Sequence, residues 1–115
     1  MIKHRTEIRV RYADTDQMKV VYYGKYLEYF EVGRAALIRS LGLPYSELET
    51  RGILLPVVEA FVHYRSPSHY DDVLSIESIV SELPQATLKI NYRVFRNHEV
   101  DPLAEGYTIH SFINT

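Results

Sequence analysis

Residues 22–41 read YYGKYLEYFEVGRAALIRSL, and this stretch decides the fold. Leu27, Phe30, Leu37, Ile38 and Leu41 recur at helical intervals near one face, with Glu28, Arg34 and Arg39 on the others, so the spacing predicts one long amphipathic helix. Gly42 follows as a C-terminal stop. Beyond Pro44, Ser46 and Glu49 have the Ser-x-x-Glu spacing that could cap a short second helix ending at Gly52.

Outward from the helix in both directions the period changes to that of strands. Before it, Ile8, Val10 and Tyr12 alternate with Glu7, Arg9 and Arg11, which predicts a half-buried strand over residues 6–12. After it, residues 53–65 are long and apolar, 73–80 alternate, 87–96 alternate cleanly and 104–113 are rich in β formers. The breaks between them, Ser66-Pro67-Ser68, Leu83-Pro84-Gln85 and the polar stretch 96–102, carry prolines or polar clusters that end a ladder. One strand, a long helix and four more strands describe an α+β domain with the helix packed on an antiparallel sheet, and the short connections favour hairpins.

With 115 residues, 46% hydrophobic and 24% charged, the chain reads as a single domain spanning 1–115. A domain this small gains from a partner subunit that covers a sheet edge or an apolar face, so an oligomer is expected. The formal charge of −2 and scattered basic residues give no field for a polyphosphate backbone, and nucleic acid is not an expected partner. The absence of cysteine excludes a thiol nucleophile, a disulfide framework and thiolate metal ligands. Residues 1–9 lack the apolar core of a signal peptide, and no apolar run approaches the roughly 20 residues of a membrane span. The expected location is the cytoplasm.

Chemistry concentrates where the first strand hands over to the helix. Residues 13–19 hold Asp14, Thr15, Asp16 and Gln17 without periodicity and read as an exposed loop leading to a helix N-terminus. Free N–H groups there, supported by the helix dipole, can polarise a carbonyl and stabilise an oxyanion. A carboxylate a few residues earlier can attack the same carbon or activate water. Asp14 and Asp16 can equally be turn or cap residues, and spacing alone leaves both readings open.

Asp16 followed by Val20-Val21-Tyr22-Tyr23 and Tyr26-Leu27 resembles the signature of the 4-hydroxybenzoyl-CoA thioesterase family, which includes the Tol-Pal-associated acyl-CoA thioesterases. Leu55-Pro56-Val57-Val58-Glu59-Ala60 and Tyr70-Asp71-Asp72-Val73-Leu74 resemble that family's second-strand and following-turn segments, in the same order. The resemblance implies a hotdog fold, an antiparallel five-stranded sheet wrapped around one long helix. It also implies an acyl-CoA thioesterase without cofactor or metal, its active site at the interface of a homodimer that can pair into a tetramer. Asp16 matches the catalytic aspartate. Tyr23 matches the position whose backbone N–H faces the thioester oxygen. Val21, Tyr22 and Tyr26 would line the acyl site, and Arg65 is a candidate contact for CoA.

The chain departs from the pattern in places. Tyr23-Gly24-Lys25-Tyr26 stands where many Tol-Pal-associated members have His-Ala-Asn-Tyr, Lys19 stands where glycine is usual, and such members run longer past the final strand. These departures motivate an alternative, a hotdog protein that binds acyl-CoA or organises a complex without hydrolysis. A hotdog dehydratase would place a histidine on the central helix, and residues 22–41 contain none. Glu59 could be a second carboxylate near the acyl pocket but reads better as an ordinary strand glutamate, and Lys89 and Arg96 read as surface charges that could also meet CoA phosphates. His63, His69 and His110 read as scattered sheet histidines without metal-ligand spacing.

Overall fold

A computed structural model describes residues 1–42, 49–82, 84–97 and 99–114. In chain order it holds strand β1 (Ile2–Arg9), a 3-10 turn (Tyr12–Asp14), helix α1 (Lys25–Ser40), and strands β2 (Ile53–Leu54), β3 (Val57–Tyr64), β4 (Val73–Val80), β5 (Thr87–Arg96), β6 (Ala104–Ser111) and β7 (Ile113–Asn114). Five strands form one antiparallel sheet in the order β1-β4-β5-β6-β3, and β2 pairs with β7 as a short ribbon. With α1 laid over one face, this is the hotdog architecture. No helix among the described residues is long and apolar enough to cross a membrane.

Strands β4 and β5 take the bounds that alternation predicts. Other predictions need correction: the first strand runs Ile2–Arg9, and Tyr12 falls in the 3-10 turn. The apolar run 53–65 is broken at Pro56, which has no N–H to donate to a ladder, into β2 and β3. The hairpin expectation holds for β4-β5 and β5-β6 only; β3 pairs with β6 at one edge, while the chain crosses to β4, which pairs with β1. The second-helix cap at Ser46 lies outside the described residues.

The helix presents a different face from the one its leucines suggest. Tyr26, Tyr29, Phe30, Gly33, Arg34, Leu37 and Ile38 are buried, whereas Leu27 and Leu41 are exposed. Positions 26, 29, 30, 33, 34, 37 and 38 form an unbroken i, i+3, i+4 row, so Arg34 falls inside the buried stripe rather than on a polar face. Phe30 stacks on Tyr92 of β5 with centroids 4.3 Å apart, among Leu37, Leu74, Ile76, Ile90 and Val94. Gly33 permits this approach, since a Cβ there would stand 2.6 Å from Ser78 Oγ and 2.8 Å from Ile76 Cγ2.

Arg34 meets a buried polar chain under the far end of the helix. His110, fully buried on β6, has Nδ1 3.0 Å from the Leu55 carbonyl and Nε2 2.8 Å from Thr108 Oγ1, which lies 2.8 Å from the Tyr92 hydroxyl. A carbonyl can only accept, so Nδ1 carries the proton and Nε2 accepts from Thr108, which in turn accepts from Tyr92. Burial, reinforced by the nearby Arg34 charge, holds His110 below its ordinary pKa of 6.5. The unfolded chain therefore takes up a proton that the folded chain refuses. Stability should fall as pH drops below about 6.5 and stop falling, on this account, once the folded-state value is passed. Denaturation midpoints between pH 7.5 and about 5 check this, and His110→Gln should remove most of that slope.

Strand β3 is unlike the rest of the sheet. It forms an edge, and Val57, Val58, Phe61 and Tyr64 are all more than 40% exposed. A bare apolar edge strand presents unpaired backbone groups together with apolar side chains.

Candidate active site

Between β1 and α1 the chain makes a small hairpin. Thr15 bridges Val21, Asp16 N–H donates to the Val20 carbonyl at 2.9 Å, and Lys19 N–H donates to the Asp16 carbonyl at 2.9 Å. This is the pattern of a three-residue hairpin loop, whose last residue takes a left-handed conformation. Lys19 does so, with φ +66°. That backbone demand is the physical reason a glycine would suit position 19, and the lysine is held there at some strain. The loop docks on the segment before β4 through Val21 N–H to Ser68 O at 2.8 Å and a Val20–His69 bridge.

The two aspartates of this loop have unlike surroundings. Asp14 is 3% exposed and accepts from the Arg11 backbone and guanidinium and from the Tyr29 hydroxyl at 2.9 Å. Burial alone would raise its carboxyl, but these bonds outweigh it and hold Asp14 below the usual carboxylate value. Its backbone carbonyl also accepts from Tyr22 N–H at 2.9 Å, so Asp14 ties the loop to the start of the helix. Asp16 is only half-buried. Its Oδ1 accepts from Met18 N–H at 2.8 Å, an Asx turn that orients the carboxylate, and Oδ2 has no hydrogen-bond partner among the described residues.

Asp16 lies on the rim of a groove of about 290 Å³. One wall is Met18, Val20, Val21, Tyr23 and Tyr26; the other is Tyr64, Arg65, Ser66 and Pro67 at the end of β3. The structure therefore brings together Asp16, Tyr23, Val21, Tyr26 and Arg65. Tyr22 does not line this groove: its ring stacks against Tyr23 and lies over Gly24, where a Cβ would meet it at 2.9 Å. The Tyr23 N–H has no acceptor among the described residues, and α1 begins without a side-chain cap at Gly24. Asp16 and Tyr23 thus line one groove, and neither Asp16 Oδ2 nor the Tyr23 N–H is spent on a bond among the described residues.

Charges around the groove are sparse. Arg65 pairs with Glu105 on β6, while Arg96 reaches Asp72 and the Pro67 carbonyl behind the groove wall. Lys89 lies over the Tyr107 ring at 4.4 Å, and Glu59 accepts from the Tyr107 hydroxyl, both away from the groove. His63 and His69 are exposed, whereas His110 is the buried member described above. Among the described residues no group of three His, Asp or Glu side chains is placed to hold a metal.

Tyr64 and Ser68 are two residues that sequence reasoning passes over. Ser68 is fully buried and shares a 2.7 Å hydrogen bond with the Tyr26 hydroxyl, which fixes that ring as a groove wall. Tyr64 reaches Tyr23 across the groove. The only signal in the sequence is the turn 66–68 directly after Tyr64, which marks a strand end where loops gather.

Comparison with known proteins places the chain among thioester hydrolases. A model described as "Thioesterase-like superfamily" matches residues 10–115. A Bacillus subtilis (strain 168) protein, provisionally named acyl-CoA thioesterase YneP, is 40% identical over 91 residues, covering 79% of this chain and 66% of that protein. The 1,4-dihydroxy-2-naphthoyl-CoA hydrolase of Synechococcus elongatus is 34% identical over 103 residues, covering 88% of this chain and 74% of its own. Among solved structures, the DHNA-CoA thioesterase of Staphylococcus aureus superposes with a TM-score of 0.92 at 32% identity, over 99% of this chain and 76% of that one.

Proposed function

The chain belongs to the thioesterase-like superfamily and is a thioester hydrolase, and from that premise we propose that it cleaves acyl-CoA to a free acid and CoA at the Asp16 groove. The observation that carries this reading is the Asp16 carboxylate, oriented by Met18 N–H, on the same groove as the open start of α1.

The thioester carbonyl sits with its oxygen toward the Tyr23 N–H, which stabilises the oxyanion as the carbon becomes tetrahedral. Asp16 either attacks that carbon, giving an anhydride that water then cleaves, or takes a proton from the attacking water. In both routes the C–S bond breaks, sulfur leaves as CoA thiolate and is protonated, and water supplies the acid's second oxygen. Val21 and Tyr26 hold the acyl group, and Arg65 at the rim meets the CoA arm. The 4-hydroxybenzoyl-CoA thioesterase type of mechanism, with Asp16 and the Tyr23 amide as its two parts, fits this arrangement. Water is the second substrate.

The working unit is a homodimer, with a tetramer of two dimers as the larger assembly. The exposed apolar edge of β3 supports this, because its end forms one wall of the groove and a second subunit beside it would deepen the site. The substrate and the mechanism suit a protein of the cytoplasm.

The test is release of free CoA thiol by purified protein across short aliphatic, long aliphatic and aromatic acyl-CoAs. Steady turnover on at least one class is the expected result, and the preferred class identifies the acyl group. Stoichiometric acyl-CoA binding in calorimetry with no release would overturn hydrolysis and make the chain a binding protein.

A further inference from the structure

We propose that Tyr64 is a positioning residue for hydrolysis, holding from across the groove the turn that presents the Tyr23 amide. The inference rests on the reading of Asp16 and Tyr23 given above and adds a residue to it. Tyr64 is the last residue of β3, 41 positions from Tyr23 in sequence, and its hydroxyl donates to the Tyr23 carbonyl at 2.9 Å. Its ring stands edge-on to Tyr23 at 6.4 Å and to Tyr26 at 5.3 Å.

The Tyr23 N–H belongs to the peptide whose carbonyl is that of Tyr22, and Lys25 N–H anchors that carbonyl at 2.9 Å. The next peptide, between Tyr23 and Gly24, has a poorer helical bond, from Tyr26 N–H at 3.3 Å. At Gly24 a Cβ would meet the Tyr22 ring at 2.9 Å, and the glycine gives this turn more backbone freedom than any other residue would. No side chain caps the helix there. The Tyr64 hydroxyl therefore supplies the shorter of the two bonds that keep the second peptide from rotating and carrying the donor out of line. Burial, with Tyr26 and Tyr23 nearby, pushes the Tyr64 hydroxyl above its ordinary pKa, so it stays a donor through the working pH range.

The experiment compares Tyr64→Phe, Tyr64→Ala and Asp16→Asn with wild type, measuring kcat and KM separately, the pH–rate profile and the thermal midpoint. Tyr64→Phe keeps the ring and loses only the hydrogen bond. It should lower kcat about three- to tenfold, the scale of one neutral hydrogen bond, with KM within about twofold and the pH profile unshifted. Tyr64→Ala should show the same loss of kcat with a raised KM, since the groove wall goes too. Unchanged kcat in Tyr64→Phe overturns the proposal, as does a fall explained wholly by a smaller folded fraction. A rise in KM alone makes Tyr64 a wall and nothing more, and also overturns it. Retained turnover in Asp16→Asn would instead remove the underlying reading, whatever Tyr64→Phe does.

Discussion

Asp16→Asn yields a protein of native size and stability whose CoA release is at least about a hundredfold below wild type, the scale of losing a positioned acid or base. The fold should persist because the two backbone bonds that Asp16 makes within its loop do not depend on its side chain, and its side-chain bond needs only an oxygen. Asn offers the same oxygen to Met18 N–H, so the turn, the Val20 contact and the docking on Ser68 are preserved. What disappears is the charge, and with it both the nucleophile and the base. Turnover per folded molecule is the quantity to measure, alongside circular dichroism and gel filtration. A rate within about threefold of wild type would exclude Asp16 from the chemistry. Asp14 shows the contrast between neighbours two residues apart: buried and bonded to Arg11 and Tyr29, it supports the loop, and its replacement is expected to appear in stability.

Gly106→Ala should be the most destabilising single methyl in the described part of the chain. Gly106 lies on β6 opposite Val62 of β3, where a Cβ would stand 1.9 Å from the Phe61 carbonyl oxygen and 2.9 Å from its carbon. Both obstructing atoms are backbone, so relief requires β3 to move away from β6 and break the ladder. The expected cost is about 3 kcal/mol or more, at or beyond the upper end for overpacked sites. Gly33→Ala is a milder comparison, because its nearest neighbours are the side chains of Ser78 and Ile76. Urea denaturation of the two variants tests the ranking. A loss below about 1 kcal/mol at Gly106 would mean the strands are set further apart than this structure places them.

The sequence carried much of this fold because burial has a period. In Thr87–Arg96 burial follows the alternation over most of the strand, one sheet face being packed under α1. In Val73–Val80 the run Leu74 to Ser78 is instead buried throughout, with Glu77 covered by Arg5 and Arg93 on the outer face. Periodicity does not encode which strand lies beside which, so the crossing from β3 to β4 was hidden, as was the outward position of the apolar β3. Arg34 misled for a related reason: a charged residue at a buried helical position looks like a polar face until its partners are found, here Glu31 one turn earlier together with the Leu55 carbonyl and His110 far along the chain. At the site, Asp16 and Tyr23 stood out as candidates from their loop-then-helix setting and from the resemblance that the neighbouring motifs carry, and the structure puts both on one groove. Tyr64 and Ser68 were not, since their hydrogen bonds join residues 41 and 42 positions apart.

The groove draws on both margins of the sheet. Asp16 and Tyr23 come from the segment after β1, and Tyr64 to Pro67 from the end of β3, the two outermost strands of the five. The β4-β5-β6 meander contributes nothing to its lining. Margins are the first parts of a sheet to open in native-state fluctuations, while the central strands retain their protection against hydrogen exchange. A molecule with one frayed margin would keep its core and most of its spectroscopic signature and yet have no assembled groove. On the proposed reading of the groove, activity is therefore a stricter measure of nativeness than secondary-structure content, and a partner seated on β3 would protect function before it added anything to the core.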